Sequence, residues 1–107
     1  MKIVIAGAGS VGRYMAEQLS STGNQVTLID SDASAVSRIN VPGVTTAVGD
    51  ACEIDTLAKA GLADADVVAA VTGDDEDNLV ISLLAKQEFA VPRVVARVNN
   101  PNNEWMF

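Results

Sequence analysis

The chain has 107 residues, a single-domain length, and 49% of them are apolar, enough to form a core without covalent staples. Its one cysteine, Cys52, excludes an internal disulfide, and the complete lack of histidine removes the commonest general base and the commonest metal ligand. A formal net charge of −7, with the seven basic residues scattered, argues against a nucleic-acid partner, which would need clustered Lys and Arg to meet phosphates.

Lys2 to Ala6 is a short apolar run of the kind that forms a buried parallel strand. Glycines interrupt the run at once and Arg13 follows, so it reads as a first strand rather than as the start of a signal peptide. Val11, Met15, Ala16 and Leu19 fall on one helical face, and Gly23 stands where a helix C-terminal glycine belongs. Gln25 to Ile29 reads as a second strand ending at Asp30. Ser31 and Asp32 start a helix whose inward residues are Ala33, Val36 and Ile39. Pro42-Gly43 is a turn before a third strand, Val44 to Val48. A short helix from Glu53 to Ala60 turns Ile54, Leu57 and Ala58 inward and closes at Gly61. A fourth strand spans Asp66 to Val71. The longest helix runs from Glu76 to Phe89 with Leu79, Leu83 and Leu84 in its stripe. A fifth strand spans Arg93 to Val98, and Asn99-Asn100-Pro101-Asn102-Asn103 is a polar breaker. No stretch has the length of a transmembrane helix, and there is neither an internal repeat nor a low-complexity segment.

This alternation predicts an α/β fold of the Rossmann type, a doubly wound parallel sheet of five strands in the order 3-2-1-4-5. The chain reads as one Rossmann-type domain over residues 1–107. The large apolar residues Trp105, Met106 and Phe107 just after a turn suggest the N-terminal part of a longer protein, or a terminus that packs on a partner.

Gly7-Ala8-Gly9-Ser10-Val11-Gly12 has the G-x-G-x-x-G spacing between a strand and a helix, the context that gives this motif its meaning. Gly7 permits the tight turn, Gly9 lets the backbone approach a pyrophosphate, and Gly12 lets helix and strand pack closely. The helix N-terminus offers free N–H groups to phosphate. Asp30, eighteen residues after Gly12 at the end of the second strand, can accept both hydroxyls of an adenosine ribose and would repel a 2′-phosphate, which disfavours NADP. Capping the next helix is the other role open to Asp30, but Asp32 is better placed for it.

Gly49-Asp50-Ala51 follows the third strand and flanks the adenine side of such a site. Asp50 either accepts from the adenine amino group or serves a turn. Thr72-Gly73-Asp74-Asp75-Glu76-Asp77-Asn78 follows the fourth strand, across the crevice from the glycine loop. Capping and the helix dipole account for Asp75 and Asp77, whereas Thr72 and Asp74 can line the crevice. Hard cations take oxygen ligands, but the acids lack calcium-loop spacing and no metal site is assigned. Arg97 is a charge in an apolar strand, and a buried guanidinium there needs either a phosphate or a carboxylate such as Asp74. Cys52 reads as a small buried residue with nothing basic near it in sequence.

The chain resembles the KTN or RCK nucleotide-binding domain of Trk/Ktr-type potassium-uptake regulators. The glycine loop carries the resemblance, with Leu28-Ile29-Asp30, Val48-Gly49-Asp50-Ala51, Val71 to Asn78, Leu84-Ala85-Lys86 and Ala96-Arg97-Val98-Asn99-Asn100-Pro101. The resemblance implies a cytosolic regulatory module rather than an enzyme. Such a module binds NAD(H) or ATP/ADP, forms homodimers or rings, and acts on a membrane potassium channel or transporter at the inner face of the membrane. It implies that Gly7, Gly9 and Gly12, with Ser10 and Val11 in the same loop, hold phosphate. It further implies that Asp30 holds ribose, that Asp50 and Ala51 lie near adenine, and that Thr72, Asp74 and Arg97 line the crevice. The alternative is the cofactor half of an NAD-dependent oxidoreductase whose catalytic domain is absent. The chain has no histidine and no Tyr-x-x-x-Lys pair, since Gln18 is the residue four after Tyr14. A third reading is a free-standing redox or energy sensor for another partner.

Overall fold

The five apolar runs form one parallel sheet in the order β3-β2-β1-β4-β5 in the computed structural model, which describes residues 1–107. The strands are β1 (Lys2–Ala6), β2 (Gln25–Asp30), β3 (Val44–Val48), β4 (Val67–Ala70) and β5 (Arg93–Ala96). β1 lies in the middle, with Ile5 beside Leu28 of β2 and Ala69 of β4, so its side chains are covered on both faces and it reads as an unbroken apolar run. The predicted topology is the one observed. β4 and β5 are shorter than the apolar runs suggested, because Asp66, Val71, Arg97 and Val98 lie outside the strands.

Four helices cover the sheet: α1 (Ser10–Ser21), α2 (Ala33–Ser37), α3 (Ile54–Lys59) and α4 (Asp75–Gln87). On one face Ala16 of α1 is buried against Ile3, Ile5, Val26, Leu28 and Ala69, with Val11, Met15 and Leu19 beside it. On the other face Leu57 of α3 and Ile81 and Ala85 of α4 pack on Val4, Ala6, Ile29, Val68 and Ala70.

Three inward faces differ from those expected. In α2 Ala33 is exposed, and Ala35 packs alongside Val36 and Ile39. In α3 only Leu57 is buried, while Ile54 is 46% exposed and Ala58 is exposed, because so short a helix presents a single edge to the sheet. In α4 the inward stripe is Asp75, Asn78, Ile81 and Ala85. Leu83 is exposed and Leu79 half-exposed, and only Leu84 of the three predicted leucines packs on the core. Apolar weight pointed to the leucines, but Asp75 and Asn78 are fully hydrogen-bonded where they lie, so their polarity does not turn them to solvent.

One close approach fixes α1 against the sheet. A Cβ at Gly12 would lie 1.7 Å from the Gly7 carbonyl oxygen, so the first turn of the helix rests directly on the loop after β1. Gly12→Ala should therefore lower unfolding stability by about 3 kcal/mol or more, read as a lower urea midpoint at unchanged slope. A loss below about 0.5 kcal/mol would mean that the loop and helix separate freely.

Candidate functional site

A cleft of about 330 Å³ opens at the carboxyl ends of β1 to β4, where the chain reverses the direction in which strands are added. Its floor and near wall are Gly7 and Gly9. Asp30 and Ser31 close one side, Gly49 to Cys52 the next, and Thr72 to Asp74 with Asp77 the far wall.

Gly7 adopts φ +122°, and a Cβ there would meet the Val71 carbonyl carbon at 2.9 Å, so the chain itself demands this glycine. Gly9 is different. Its φ is −75°, and nothing in the chain comes within 4 Å of a Cβ built on it. The fold therefore places no demand for glycine at position 9, yet the residue lines the cleft. A bare backbone there suits a ligand that must come close.

Gly9 is also the N-cap of α1, and no side chain caps that end. There is no acid in the first turn, so the opening amides of a 12-residue helix keep free donors and the positive end of the dipole. The other three helices that begin around the cleft each have an acid at their start, a cap at α2 and at α4 and Asp55 in the first turn of α3. Asp32 caps α2 by accepting from Ser34 N at 2.9 Å, and Asp74 caps α4 by accepting from Asp77 N at 3.0 Å. Ser10 and Val11 begin α1 but do not line the cleft themselves, and Gly12 is buried beneath it.

Asp30 ends β2 half-buried. Its Oδ2 accepts from Ala8 N at 2.8 Å and its Oδ1 from Asp32 N at 2.8 Å. These bonds fix the carboxylate beside the glycine loop and leave each oxygen a further lone pair. Asp50 accepts from Cys52 N at 2.9 Å, which is its turn role, and it also lines the cleft; Ala51 is buried at the same wall. Thr72 and Asp74 line the far wall.

Arg97 departs from expectation. It lies just past β5, exposed, with no carboxylate partner and outside the cleft lining. It falls on the same face of this edge strand as Arg93 and Val95, which are exposed too, so its guanidinium stays in water and requires no buried partner. Asp75, read as a dipole residue, is instead buried beneath the Asn99–Asn103 turn. Four N–H donors hold its carboxyl well below the usual carboxylate range, the Asn99 amide first and the Asn103 side chain next.

Sequence reasoning passed over Cys52, Gly73 and Asp77 as cleft residues. Cys52 and Gly73 stand one residue after positions flagged behind β3 and β4, so the rule that ligands bind beyond strand carboxyl ends could have found them. Cys52 is half-buried, and burial, then the negative charges of Asp77 and Asp50, push its thiol up to about 12. It is therefore a poor nucleophile. Four carboxylates (Asp30, Asp50, Asp74 and Asp77) line the cleft with no basic residue among them, and no group of acids or cysteine is arranged to hold a metal ion.

Residues 3–107 match the family model of the TrkA-N domain. The chain is 50% identical over 107 residues to the Trk system potassium uptake protein TrkA of Mycobacterium tuberculosis, covering 100% of itself and 49% of that protein. It thus spans about half the length of that relative. Among solved structures, the Kef CTD of Shewanella denitrificans in its AMP-bound form is 26% identical with a TM-score of 0.87, covering 98% of this chain and 64% of that one. The GsuK RCK domain is 31% identical with a TM-score of 0.83, covering 98% of this chain and 22% of that one.

Two predictions follow from the charges around the cleft. Iodoacetamide should alkylate Cys52 at pH 8 at least roughly tenfold more slowly than an unhindered thiol, and Asp77→Asn should speed the reaction. Equal rates in the folded and urea-unfolded chain would contradict the raised pKa. Asp75→Asn should lower the urea midpoint at pH 7. Because the folded pKa of Asp75 is depressed, its contribution is present above the ordinary carboxylate value and is lost as pH falls toward the folded one. The gap between variant and parent should therefore narrow below about pH 4, and a constant gap from pH 7 to 3 would refute this account.

Proposed function

This chain belongs to the TrkA-N family, and we propose that it is a regulatory module that binds an adenine nucleotide, NAD(H) or ATP/ADP, and through it controls a membrane potassium channel or transporter. The observation that carries the binding half is the uncapped start of α1 at Gly9, open to the cleft and flanked by the Asp30 carboxylate. Phosphate oxygens suit the free amides, and the ribose hydroxyls suit the unused lone pairs of Asp30. An AMP-bound relative at 26% identity supports an adenosine ligand in a cleft of this fold.

The regulatory half rests on the relatives' names. A potassium uptake protein and an RCK domain are what this chain is most usefully compared with, and they favour a non-enzymatic role. A ligand would act by binding one conformation of the assembly more tightly than another, since it shifts an equilibrium only by that difference. Dimers or rings acting peripherally on a membrane partner belong to this proposal. The chain itself has no helix long and apolar enough to cross a membrane.

Calorimetric titration with NADH, NAD, ATP and ADP tests the reading. NADPH should bind at least roughly tenfold more weakly than NADH, because its 2′-phosphate would meet the Asp30 charge. Asp30→Ala should weaken every adenosine nucleotide by a similar factor or more, since it removes the ribose acceptor and the anchor of Ala8 N. Equal affinity for NADH and NADPH would sink the ribose assignment, and no binding by any of the four nucleotides would sink the binding reading itself.

A further inference from the structure

The geometry points to Asp75 and Asn78 as positioning residues that tie the far wall of the cleft to the segment Arg97–Met106, so that nucleotide binding is read out in that segment. The inference rests on the nucleotide-binding reading above and concerns residues outside the cleft.

Asn78 has no exposed surface, and every hydrogen-bonding position of its side chain is used. Its Oδ1 accepts from Thr72 N at 2.9 Å and from Thr72 Oγ1 at 2.7 Å. Its Nδ2 donates to Thr72 O at 3.0 Å and to Arg97 O at 3.0 Å. One amide thus grips both backbone polar atoms and the hydroxyl of a cleft-wall residue, and with its remaining proton holds the backbone just past β5.

Asp75 makes the second tie, one helical turn earlier and only 7% exposed. Its Oδ1 accepts from Asn99 N at 2.6 Å and Asn99 Nδ2 at 3.0 Å, and its Oδ2 from Asn100 N at 2.9 Å and Asn103 Nδ2 at 3.0 Å. Asn99 Nδ2 also reaches Thr72 O at 3.0 Å, which closes the loop between the ties. Asn100 in turn caps the 3-10 helix Pro101–Met106, accepting from Asn102 N at 3.0 Å.

Every bond in this chain of contacts lies between 2.6 and 3.0 Å. If Thr72, Gly73 and Asp74 move to close on a ligand, Asn78 and Asn99 must either follow or leave buried polar atoms without partners. Following displaces Arg97 to Asn103, and with them the 3-10 helix that carries Trp105, the sole tryptophan, which is 82% exposed. Arg97 N is also bonded to Ala70 O at 2.8 Å, but the 3-10 helix beyond it has no buried residue, so it is an element that a small shift can move.

The test uses the full chain with ADP and with NAD as probes. Hydrogen exchange followed by mass spectrometry should show the amides of residues 97–103 changing their exchange rate by roughly tenfold on binding, alongside protection at the glycine loop. Trp105 emission should change in parallel. Asn103→Ala, which removes one of the four bonds to Asp75 and touches no cleft residue, should keep nucleotide affinity within about threefold while cutting the Trp105 response by at least half. Nucleotide binding with exchange changes confined to the cleft, or an undiminished Trp105 response in Asn103→Ala, would overturn the tie. Absence of nucleotide binding by calorimetry would be a separate result, overturning the binding reading and this inference with it.

Discussion

The contact between Gly12 and the Gly7 carbonyl is the constraint on which the site depends. It allows no side chain between the first turn of α1 and the loop that leaves β1. Because the helix rests on the loop, its run of opening amides starts from Gly9, the cap residue that lies at the cleft floor. A single Cβ at position 12 would lift the helix and redirect those amides. Gly7 contributes the sharp reversal that makes the approach reachable, and Ala8, between the glycines, is pinned by Asp30. Asp30 and the glycine loop are thus held by one another.

Around that floor the charges divide in an instructive way. The helices that begin beside the acidic residues have their positive ends answered by those acids, Asp32 at α2 and Asp74 at α4. α1 alone among them has neither cap nor first-turn acid. A cleft bearing four carboxylates would repel any anion if nothing opposed them. The free end of α1 is the one place where negative charge is welcome, so the electrostatics select where on the cleft a phosphate can sit. No basic side chain lines the wall, so any anion there would be met by neutral donors, the free amides at the start of α1 and the hydroxyls of Ser31 and Thr72.

Much of this was legible in the residues, and what was missed has a physical reason. The sheet order follows from alternation and the right-handed crossover, and β1, β2 and β3 were visible as apolar runs between turn residues. The glycine loop and Asp30 could be placed together at the carboxyl end of the sheet because backbone geometry and position after a strand are both fixed by spacing. Arg97 was misplaced because an apolar run does not show that one face of its strand is left uncovered; Arg93 and Val95, on the same face as Arg97, are exposed as well. The face of α4 was misjudged because hydrophobicity cannot register polar residues that are satisfied by partners distant in sequence, and Asn99 lies 24 residues from Asp75. Cys52 shows the same limit. Its neighbours in sequence are uninformative, while Asp77, which raises its pKa, comes from another helix.

Buried polar residues in α4 invite the question of why the helix does not simply carry leucine there. Replacing a satisfied buried polar cluster by well-packed apolar groups is often neutral for stability, so stability alone does not account for Asp75 and Asn78. What leucine could not do is specify geometry. Apolar packing tolerates sliding, whereas an amide with four partners holds one arrangement of Thr72 against Arg97 O and no other. The same argument applies to Asp75, whose two oxygens each serve two donors from a single turn. Directional bonds at the start of α4 therefore convert the position of the cleft wall into the position of the turn after β5, and a hydrophobic core at that point would have let the two drift independently.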